Sequence, residues 1–480
     1  MTEDPVAKIA EDRFNVAYLY PIQRFVISNI LDGRDQIVIL PTGSGKSLCF
    51  WLPVELLPGV TLVVTPLLAL MKDQLRRLSE LGVQAGSLMG GQSEHQRRTL
   101  LEKAKEGELK IIYTTPETLT RMTTNGLLAS LRVSHLVVDE AHCVSEWGRS
   151  FRPSYARIGE FIGHNECDVV SAFTATASEQ TITDIRESLF GQRPVSLTVQ
   201  NPDRPNINYS VLPVLSKGFH LVRILERHEG CCVVFCMSRE AAEVHARILR
   251  RRLANRQTRF YHAGLSKEER QIIESWFMAS SDGILVATSA YGLGVDKPDI
   301  RTIIHIDIPP SVEAFLQESG RAGRDGKPSE SILLCSERDV MGLREHPGDL
   351  WRQRNDMMIR YAVNRDICRR SFLLTLMGQK PPACSGCDVC QGNSVSEPYG
   401  QRIITDFIAK YRRRYSKREV LLLLGGRFYQ DTVTKLLYRN PDFGLLKDWD
   451  EEDIGEAVDV LLSLGRIRVS ARGFWKGKMV

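Results

Sequence analysis

Short apolar runs, many of them β-branched, alternate with amphipathic segments along most of the chain. Uniformly apolar runs separated by helical patterns are typical of parallel strands that are buried on both faces and joined by helices. The pattern therefore predicts βαβ units and a parallel sheet. The candidate strands of a first series are 36–40, 62–64, 111–113, 136–138 and 169–173.

A second series of the same kind begins after Pro205, which predicts two α/β lobes in tandem. The segment 201–206 contains two prolines, and because prolines interrupt regular structure we expect the hinge between the lobes there. A short helical lead-in over 14–31 precedes the first strand. The candidate strands of the second series are 232–235, 284–286, 302–304 and 332–334.

The first candidate strand runs directly into a glycine-rich sequence, Pro-Thr-Gly-Ser-Gly-Lys-Ser at 41–47. Glycines allow a tight turn into a helix whose first N–H groups point at phosphate oxygens, which indicates a nucleoside triphosphate site. Lys46 would reach the β- and γ-phosphates, and the hydroxyl of Ser47 would hold Mg²⁺. Leu40 stands where the strict pattern has glycine, and an ordinary glycine-rich turn is the alternative. The loop residues that would cradle phosphate are Thr42, Gly43, Ser44 and Gly45.

Two carboxylates, Asp139 and Glu140, directly follow the candidate strand 136–138. A phosphate-loop enzyme needs a magnesium ligand and a water-activating base at the end of such a strand. We expect Asp139 to hold the metal through water and Glu140 to deprotonate the attacking water. Such a pair alone is usually a helix N-terminus, but together with Lys46 it indicates nucleotide hydrolysis.

Residues from two other segments suit the same nucleotide. The amide of Gln23 offers a donor and acceptors that match an adenine edge, and Tyr20 offers a ring for stacking. A surface glutamine and a core tyrosine are the alternative. In the second lobe, Arg321 and Arg324 lie three positions apart on one helical face, where a positive group would offset charge on the γ-phosphate. A basic loop without a ligand is the alternative there.

The segment 144–155 mixes aromatic residues, arginines and turn formers next to the two carboxylates. Aromatic faces stack on bases and arginines bind phosphate, so the segment suits a single strand of nucleic acid. Strand binding beside the hydrolytic carboxylates would couple it to ATP turnover. An aromatic mini-core beneath a loop explains the composition equally well.

Four of the eleven cysteines have the spacing of metal ligands. Four thiolates with C-x-x-C spacing suit a closed, tetrahedral zinc site, and an iron–sulfur cluster is the alternative. The other seven lie in apolar or motif contexts, which indicates reduced thiols and not a disulfide framework. The four candidate ligands are Cys368, Cys384, Cys387 and Cys390.

Length, composition and charge indicate the number of domains and the general class of the protein. A chain of 480 residues predicts about three domains, and 43% hydrophobic with 25% charged residues is ordinary globular composition. No apolar run is long enough to span a bilayer and the acidic N-terminus lacks a signal-peptide pattern, so we expect a cytoplasmic protein with no membrane partner. The whole net charge of +5 falls in residues 400–480, which fits either a nucleic-acid partner or a solvated basic face.

The segment 400–480 predicts helices followed by a hairpin. Asp450 and Asp453 resemble a capping box, for a helix that would run to Leu464 and stop at Gly465. The residues 467–475 indicate a short basic hairpin. Helices followed by a basic hairpin suggest a winged helix, and a protein-docking or purely structural module fits as well.

Many motifs follow one another in a characteristic order. They are Pro-Thr-Gly-Ser-Gly-Lys-Ser-Leu-Cys at 41–49, Pro-Leu at 66–67 with Leu-Met-Lys-Asp-Gln at 70–74, Asp-Glu-Ala-His-Cys at 139–143, Phe-Arg-Pro at 151–153, Thr-Ala-Thr-Ala at 174–177, Asp-Arg-Pro-Asn-Ile at 203–207, Tyr-His-Ala-Gly-Leu at 261–265, Gly-Leu-Gly-Val-Asp-Lys-Pro at 292–298 and Gly-Arg-Ala-Gly-Arg-Asp-Gly at 320–326. From about residue 14 to 390 the chain resembles the RecQ helicases of helicase superfamily 2. The resemblance implies two tandem RecA-like lobes at 1–204 and 205–340, a helical zinc-binding subdomain at 341–395 and a winged-helix DNA-binding module at 396–480.

The resemblance also implies an activity, a DNA-stimulated ATP hydrolase that moves 3′ to 5′ on single-stranded DNA and unwinds forked duplexes in repair and recombination. It implies ATP, Mg²⁺ and structural Zn²⁺, and it gives the ATP-site residues the roles stated above. Phe474 or Trp475, at the hairpin tip, would separate base pairs, and no further accessory domain of this family is expected afterwards. The residues to which the resemblance assigns DNA coupling are His142, Trp147, Phe151 and Arg152.

The chain departs from the family at two positions near the predicted base site. Tyr20 stands where the family has arginine, and Val16 stands where an aromatic residue packs on the base, so the choice of nucleotide stays open. An RNA helicase and a translocase that does not unwind are alternative enzymes. A DNA-binding scaffold with an inactive ATPase is an alternative of another class, and the intact Lys46, Asp139 and Glu140 argue against it.

Overall fold

The computed structural model describes residues 4–41, 44–66, 68–124, 128, 131–146, 153–165, 167–201, 203–292, 297–344, 349–377, 379–381, 383–471 and 475–480. The chain divides into two compact units. The first comprises Met1–Asp203 with Leu374–Gln379, and the second comprises Arg204–Leu373 with Lys380–Val480.

The first unit is built on one parallel sheet. Its strands are β1 (Gln36–Ile39), β2 (Val60–Val64), β3 (Ala85–Leu88), β4 (Ile111–Thr114), β5 (Val133–Val138), β6 (Cys167–Thr174) and β7 (Ser196–Val199). Within the described residues they lie in the order β3-β4-β2-β5-β6-β1-β7. In β1, Ile37 is opposite Ala172 on one side and Leu197 on the other. The strand that leads into the phosphate loop is therefore hydrogen-bonded along both edges.

Helices cover both faces of this sheet. Alternate residues of one strand belong to different cores: Ile37 and Ile39 pack in one cluster, whereas Val38 and Leu40 pack in the other. Such two-sided burial explains why the strands read as continuous apolar runs. The helices of this unit are α1 (Pro5–Phe14), α2 (Pro21–Leu31), α3 (Lys46–Trp51), α4 (Leu68–Glu80), α5 (Glu94–Lys105), α6 (Pro116–Thr124), α7 (Cys143–Glu146), α8 (Pro153–His164) and α9 (Glu179–Ile185).

The predicted single lead-in helix over 14–31 is wrong in its extent. The chain leaves α1 at Asn15, which has left-handed backbone angles with φ of 55°. It re-enters a helix only at Pro21, the first residue of α2. A left-handed residue ends a helix and a proline suits the first helical position, so the break follows from local chemistry.

The second unit contains another parallel sheet. Its strands are β8 (Ile207–Pro213), β9 (Cys231–Phe235), β10 (Thr258–Tyr261), β11 (Ile284–Ala287), β12 (Ile300–His305) and β13 (Ser329–Cys335). They lie in the order β10-β11-β9-β12-β13-β8 in the described part of the chain. The prediction of two tandem α/β lobes is confirmed. The remaining helices are α10 (Lys217–Arg227), α11 (Arg239–Arg252), α12 (Lys267–Ala279), α13 (Val312–Ser319), α14 (Glu337–Arg344), α15 (Asp349–Val363), α16 (Arg369–Leu376), α17 (Gln401–Lys410), α18 (Lys417–Gly425), α19 (Gln430–Thr434) and α20 (Glu451–Ser463).

The end of the chain forms a hairpin beside the last four helices. Arg468 and Val480 exchange backbone hydrogen bonds of 2.8 and 2.7 Å, and Ser470 N donates to Lys478 O at 2.8 Å. Met479 N also donates to Tyr415 O, which ties the hairpin to the turn before α18. The predicted hairpin over 467–475 is right in its first arm, but its second arm is 478–480 and not 474–475, because the backbone pairing joins 468–470 to 478–480. Phe474, one of the two residues predicted for the tip, lies outside the described residues.

The capping-box prediction for α20 also agrees with the structure. Asp450 N donates to the Asp453 carboxylate at 3.2 Å, α20 ends at Ser463, and Gly465 has a left-handed φ of 67°. In the described part of the chain, no helix has the length and apolarity needed to cross a bilayer.

Candidate active site

The phosphate-loop segment lies between the end of β1 and the start of α3. Gly45 immediately precedes α3 and has a left-handed φ of 75°. A Cβ atom at this position would lie 2.5 Å from Nε2 of Gln23, so only glycine fits. Ser44 Oγ donates to Pro41 O at 2.6 Å, which ties the residues before α3 to the end of β1. Thr42 and Gly43, the other predicted cradle residues, lie outside the described residues.

Gln23 braces this loop from α2. Its Nε2 donates to the Ser44 carbonyl at 2.9 Å, and its Oε1 accepts from Tyr20 N at 3.0 Å. The side chain is buried, so both ends of the amide are engaged by the protein. The Tyr20 ring is 61% exposed and meets Tyr18 edge-on at 5.8 Å. Gln23 and Tyr20 thus lie beside the loop. Gln23 supports the loop backbone, and Tyr20 presents an exposed aromatic ring.

Lys46 and Glu140 face each other at the carboxyl edge of the sheet. Lys46 Nζ lies 3.7 Å from Glu140 Oε1, and the two side chains are only 14% and 10% exposed. Among the described residues, no acceptor lies within hydrogen-bonding distance of Lys46 Nζ. A buried ammonium group without hydrogen bonds is costly, and phosphate oxygens are the acceptors that would satisfy it. The site therefore fits the triphosphate that the sequence predicts.

Asp139, the predicted magnesium ligand, directly follows β5. Its N–H donates to Val64 O at 2.9 Å, and its Oδ1 accepts from Glu140 N at 3.0 Å. Burial, helped by the neighbouring charge of Glu140, raises the pKa of Asp139 to about 6, although the charge of Lys46 opposes the shift. A divalent cation would favour the ionised carboxylate, so the residue fits the predicted Mg²⁺.

His142 connects this edge to β6. Its Nδ1 lies 3.0 Å from Thr174 Oγ1 and 3.4 Å from a carboxylate oxygen of Glu140. Thr174 Oγ1 donates its only proton to Thr176 O at 2.9 Å, so Nδ1 of His142 is the donor to the threonine. The histidine is therefore fixed between the carboxylate of Glu140 and the Thr-Ala-Thr-Ala segment. The other residues of the predicted DNA-coupling set, Trp147, Phe151 and Arg152, lie outside the described residues.

Gln74, which also lies at this edge, is a residue without a predicted role. The buried amide extends from α4 and its Nε2 lies 3.4 Å from Ser47 Oγ, the predicted magnesium ligand. The available signal was its place at the end of the motif at 66–74, and a buried glutamine requires a hydrogen-bond partner.

Arg321 and Arg324 lie in the second unit, directly after α13. Arg321 is buried and Arg324 is partly buried. Their turn is held by Arg204, whose guanidinium donates to the carbonyls of Gly320 at 3.0 Å and Gly323 at 2.9 Å. Arg204 is a second residue without a predicted role, although it belongs to the Asp-Arg-Pro-Asn-Ile motif.

The four predicted metal ligands come together in the second unit. The sulfur atoms of Cys368, Cys384, Cys387 and Cys390 all lie within 4.8 Å of one another. Backbone N–H groups of Ser371 and Cys390 point at the sulfurs of Cys368 and Cys387, each at 3.4 Å. Burial raises the pKa of Cys368, but hydrogen bonds from Ser371 and the neighbouring thiols outweigh it and lower the pKa to about 6. A set of four thiols with one readily ionised member fits a tetrahedral metal site.

A buried ion pair fixes this cysteine cluster to the sheet. Arg369 Nε and Nη2 donate to the two oxygens of Asp388 at 2.9 and 3.1 Å. Asp388 Oδ2 also accepts from Val211 N at 3.0 Å, and Asp388 N donates to Tyr209 O at 3.0 Å, both in edge strand β8. The segment with the predicted ligands thus pairs with the outer edge of β8. Asp388, between two of the ligands, was visible in the sequence but received no role.

Three successive segments of the chain match models of known protein families. Three family models match: DEAD/DEAH box helicase over residues 20–185, helicase conserved C-terminal domain over 216–326, and RecQ zinc-binding over 344–391. An ATP-dependent DNA helicase RecQ from Pasteurella multocida is 32% identical over 97% of this chain and 76% of its own length. An ATP-dependent DNA helicase RecQ from Bacillus subtilis is 32% identical over 90% of this chain and 75% of its own length. Among solved structures, Mycobacterium smegmatis helicase Lhr bound to single-stranded DNA and AMP-PNP has a TM-score of 0.54 at 26% identity, covering 69% of this chain and 48% of that one.

Proposed function

The chain belongs to the RecQ family of helicases, and from that membership we propose that it is an ATP-driven motor that moves 3′ to 5′ on single-stranded DNA and unwinds forked duplexes. The observation that carries the proposal is the buried ammonium group of Lys46, which faces Glu140 without a hydrogen-bond acceptor among the described residues. A lysine in that position after a glycine-rich turn is a receptor for phosphate.

The residues around Lys46 divide the chemistry among them. Mg²⁺ would be held by Ser47 and Asp139 and would supply charge neutralisation at the β- and γ-phosphates. Glu140 orients and deprotonates the attacking water, and Lys46 neutralises the phosphates. Arg321 and Arg324 offset the charge that develops on the γ-phosphate.

The nucleotide base is assigned to Tyr20 and Gln23. The exposed Tyr20 ring supports a stacking role, and Gln23 is close to the loop by its hydrogen bond to Ser44. Because both ends of the Gln23 amide contact the protein, reading of a base edge would require that amide to exchange partners.

The cysteine cluster is proposed to hold one structural Zn²⁺. Four sulfurs within 4.8 Å and the match to the RecQ zinc-binding family support it over an iron–sulfur cluster. The metal would join α16 to the segment 384–390, and no open ligand position is needed for that role.

DNA binding is assigned to two regions. The first region couples strand binding to hydrolysis and consists of His142, Trp147, Phe151 and Arg152. The position of His142 beside Glu140 supports this role. The basic module 396–480, with helices and a hairpin, acts as a winged helix on the duplex.

The proposed domains are the first RecA-like lobe at 1–204, the second lobe at 205–340, the zinc-binding subdomain at 341–395 and the winged-helix module at 396–480. The proposed biological role is in DNA repair and recombination. A DNA substrate also supports the predicted cytoplasmic location, with nucleoid association in a bacterial cell.

Strand-separation assays with tailed duplexes test this function. We expect the purified chain with ATP and Mg²⁺ to unwind duplexes with a 3′ single-stranded tail and to leave blunt and 5′-tailed duplexes intact. The matched control is Lys103→Ala, an exposed lysine of α5, which should unwind as well as the parent, whereas Lys46→Ala should not unwind. Unwinding from 5′ tails, or of RNA duplexes in preference to DNA, would contradict the proposal.

A further inference from the structure

The C-terminal module is packed on the second α/β lobe through a shared apolar core. Trp449 is fully buried and stacks on Phe219 of α10 with ring centroids 4.5 Å apart and planes 22° apart. Leu215 and Phe219 of the lobe belong to the same cluster as Ile454, Val458 and the other buried residues of the module. The lobe and the module therefore do not have separate cores at this junction.

A polar network borders that core at the N-terminus of α20. Asp453 is buried, and its Oδ1 accepts from Ser216 Oγ at 2.8 Å. Arg252, at the end of α11, pairs with both Asp450 and Asp453, and its Nε lies 2.6 Å from Asp450 Oδ2. Asp453 also accepts from Asp450 N, so one carboxylate both caps α20 and docks it. The acidic first turn of α20 thus meets the basic last turn of α11, which carries Arg250, Arg251 and Arg252.

The same core continues into the terminal hairpin. Ile467 and Met479, one on each arm, are buried in the cluster that contains Trp449. Lys478 Nζ donates to Glu419 at 3.1 Å, and Met479 pairs with Val469 across the hairpin. A continuous packed path therefore runs from α11 through α20 to the base of the hairpin.

We propose that the module is a fixed arm of the second lobe, so that movement of this lobe during ATP turnover is delivered directly to the hairpin. Arg252 and Asp453 are then positioning residues for strand separation, because they set where the hairpin lies relative to the second lobe. The inference rests on the proposed helicase function. A packed core changes between discrete arrangements and does not deform continuously. Loss of the contacts that Arg252 and Asp453 make should therefore separate the module from the second lobe, and not only make their contact more flexible.

The test compares two docking variants with one matched control in the full-length chain. Asp453→Asn removes the buried charge, and Arg252→Glu places a negative charge against Asp450 and Asp453. Glu452→Gln is the control, because it makes the same chemical change one position earlier, in a side chain that is 73% exposed and pairs with the exposed Arg251. Three quantities are measured: DNA-stimulated ATP hydrolysis, base pairs unwound per ATP hydrolysed, and amide hydrogen exchange across 449–464.

We expect both docking variants to exchange faster in α20, to hydrolyse ATP within about twofold of the parent, and to unwind about tenfold fewer base pairs per ATP. Glu452→Gln should match the parent in all three measurements. Faster exchange with unchanged unwinding per ATP would overturn the proposal, because the arm would be free and yet not needed. Unchanged exchange in Arg252→Glu would also overturn it, since the ion pair would not hold the module. If the parent hydrolyses ATP but unwinds no duplex, the proposed function itself fails, and this outcome is read from the parent alone.

Discussion

Glu140 adopts a left-handed backbone conformation, with φ of 51°, although it is neither glycine nor asparagine. Such a conformation costs of order 1 kcal/mol or more and persists only where its surroundings impose it. Here Ala141 N donates to Phe173 O at 2.8 Å and His142 is fixed on Thr174, so the residues after Glu140 are held by β6. The strained turn aims the carboxylate at Lys46.

Asp139 should destabilise the protein at neutral pH in the absence of metal. Burial raises its pKa from 3.8 to about 6, so the folded state binds the proton more tightly than the unfolded state does. The free energy of unfolding therefore falls as pH rises from about 4 to about 6. We expect Asp139→Asn to raise the free energy of unfolding by about 1–3 kcal/mol at pH 8 and to change it little at pH 4. Urea denaturation in metal-free buffer at the two pH values measures this.

The control for that measurement is Asp168→Asn, since Asp168 is exposed and pairs only loosely with Arg132 at 3.3 Å. It should leave the pH dependence of stability unchanged. A loss of stability in Asp139→Asn at pH 8 would show that the buried charge is satisfied by its partners and would contradict the assigned shift. The same variant should hydrolyse no ATP. The carboxylate would then be required for hydrolysis although it lowers the free energy of unfolding.

The positions of Lys46 and Asp139 at the carboxyl edge of the sheet were predictable from sequence, because each belongs to a motif next to an apolar strand. The contacts of polar groups that hold a neighbouring segment were not predictable. Gln23 illustrates the limit. Its type suits a base edge, but its engagement by Ser44 and Tyr20 depends on how α2 packs beside the loop. Gln74 and Asp388 were missed for the same reason, because their partners lie far away in sequence.

At the scale of elements, the strands missed by the apolar pattern are all sheet edges. β3 and β7 flank the first sheet, and β8 and β10 flank the second. An edge strand is covered less completely than a central one, so β8 alternates between buried and partly buried residues and β3 is the weakly apolar sequence Ala-Gly-Ser-Leu. The central strands were all predicted, because two-sided burial demands an unbroken apolar run.

Glu419 joins three elements of the C-terminal module. It accepts from Ser416 N at 2.8 Å to cap α18, and it pairs with Lys435 at 3.0 Å and Lys478 of the hairpin at 3.1 Å. Burial opposes ionisation, but the hydrogen bonds from Ser416 and the two lysines outweigh it and lower the pKa of Glu419 to about 2. Its stabilising effect is therefore present above about pH 4.5 and is lost as pH falls towards 2.

Glu419→Gln should lower the free energy of unfolding by about 1–2 kcal/mol at pH 7, a figure discounted for solvent screening of the two lysines. The loss should shrink at pH 3. Glu451→Gln, an exposed first-turn glutamate of α20, is the matched control and should have no effect at either pH. A loss of equal size at pH 3 and pH 7 would mean that shape, and not charge, makes Glu419 important.

The cysteine segment depends on an ion pair that the metal cannot replace. Asp388 and Arg369 are both buried, and removal of one partner leaves an unpaired charge. We expect Asp388→Ala to lower the free energy of unfolding by about 3–5 kcal/mol. It should also reduce the zinc retained per chain after dialysis, measured by elemental analysis. The control is Asp366→Ala, an exposed aspartate two residues before Cys368. Full zinc retention with unchanged stability in Asp388→Ala would contradict this account of the segment.

At the scale of the whole molecule, the chain consists of two units with one parallel sheet each, and the second unit also carries the cysteine cluster and the C-terminal module. The order of these parts was predictable, because βαβ periodicity, motif order and cysteine spacing are all local in sequence. The attachment of the module to the second lobe was not. It depends on Phe219 meeting Trp449 and on Arg252 meeting Asp453, pairs separated by about half the chain.

We propose that Lys46, Asp139 and Glu140 form the hydrolytic part of a DNA-driven motor. Release of inorganic phosphate from ATP by the purified chain, with and without single-stranded DNA, measures this activity. We predict hydrolysis that DNA stimulates about tenfold or more in the parent, and a loss of about 100-fold or more in Lys46→Ala with the fold intact by circular dichroism. Phosphate release in the presence of DNA that is no faster in the parent than in Lys46→Ala would show that these residues do not drive ATP hydrolysis.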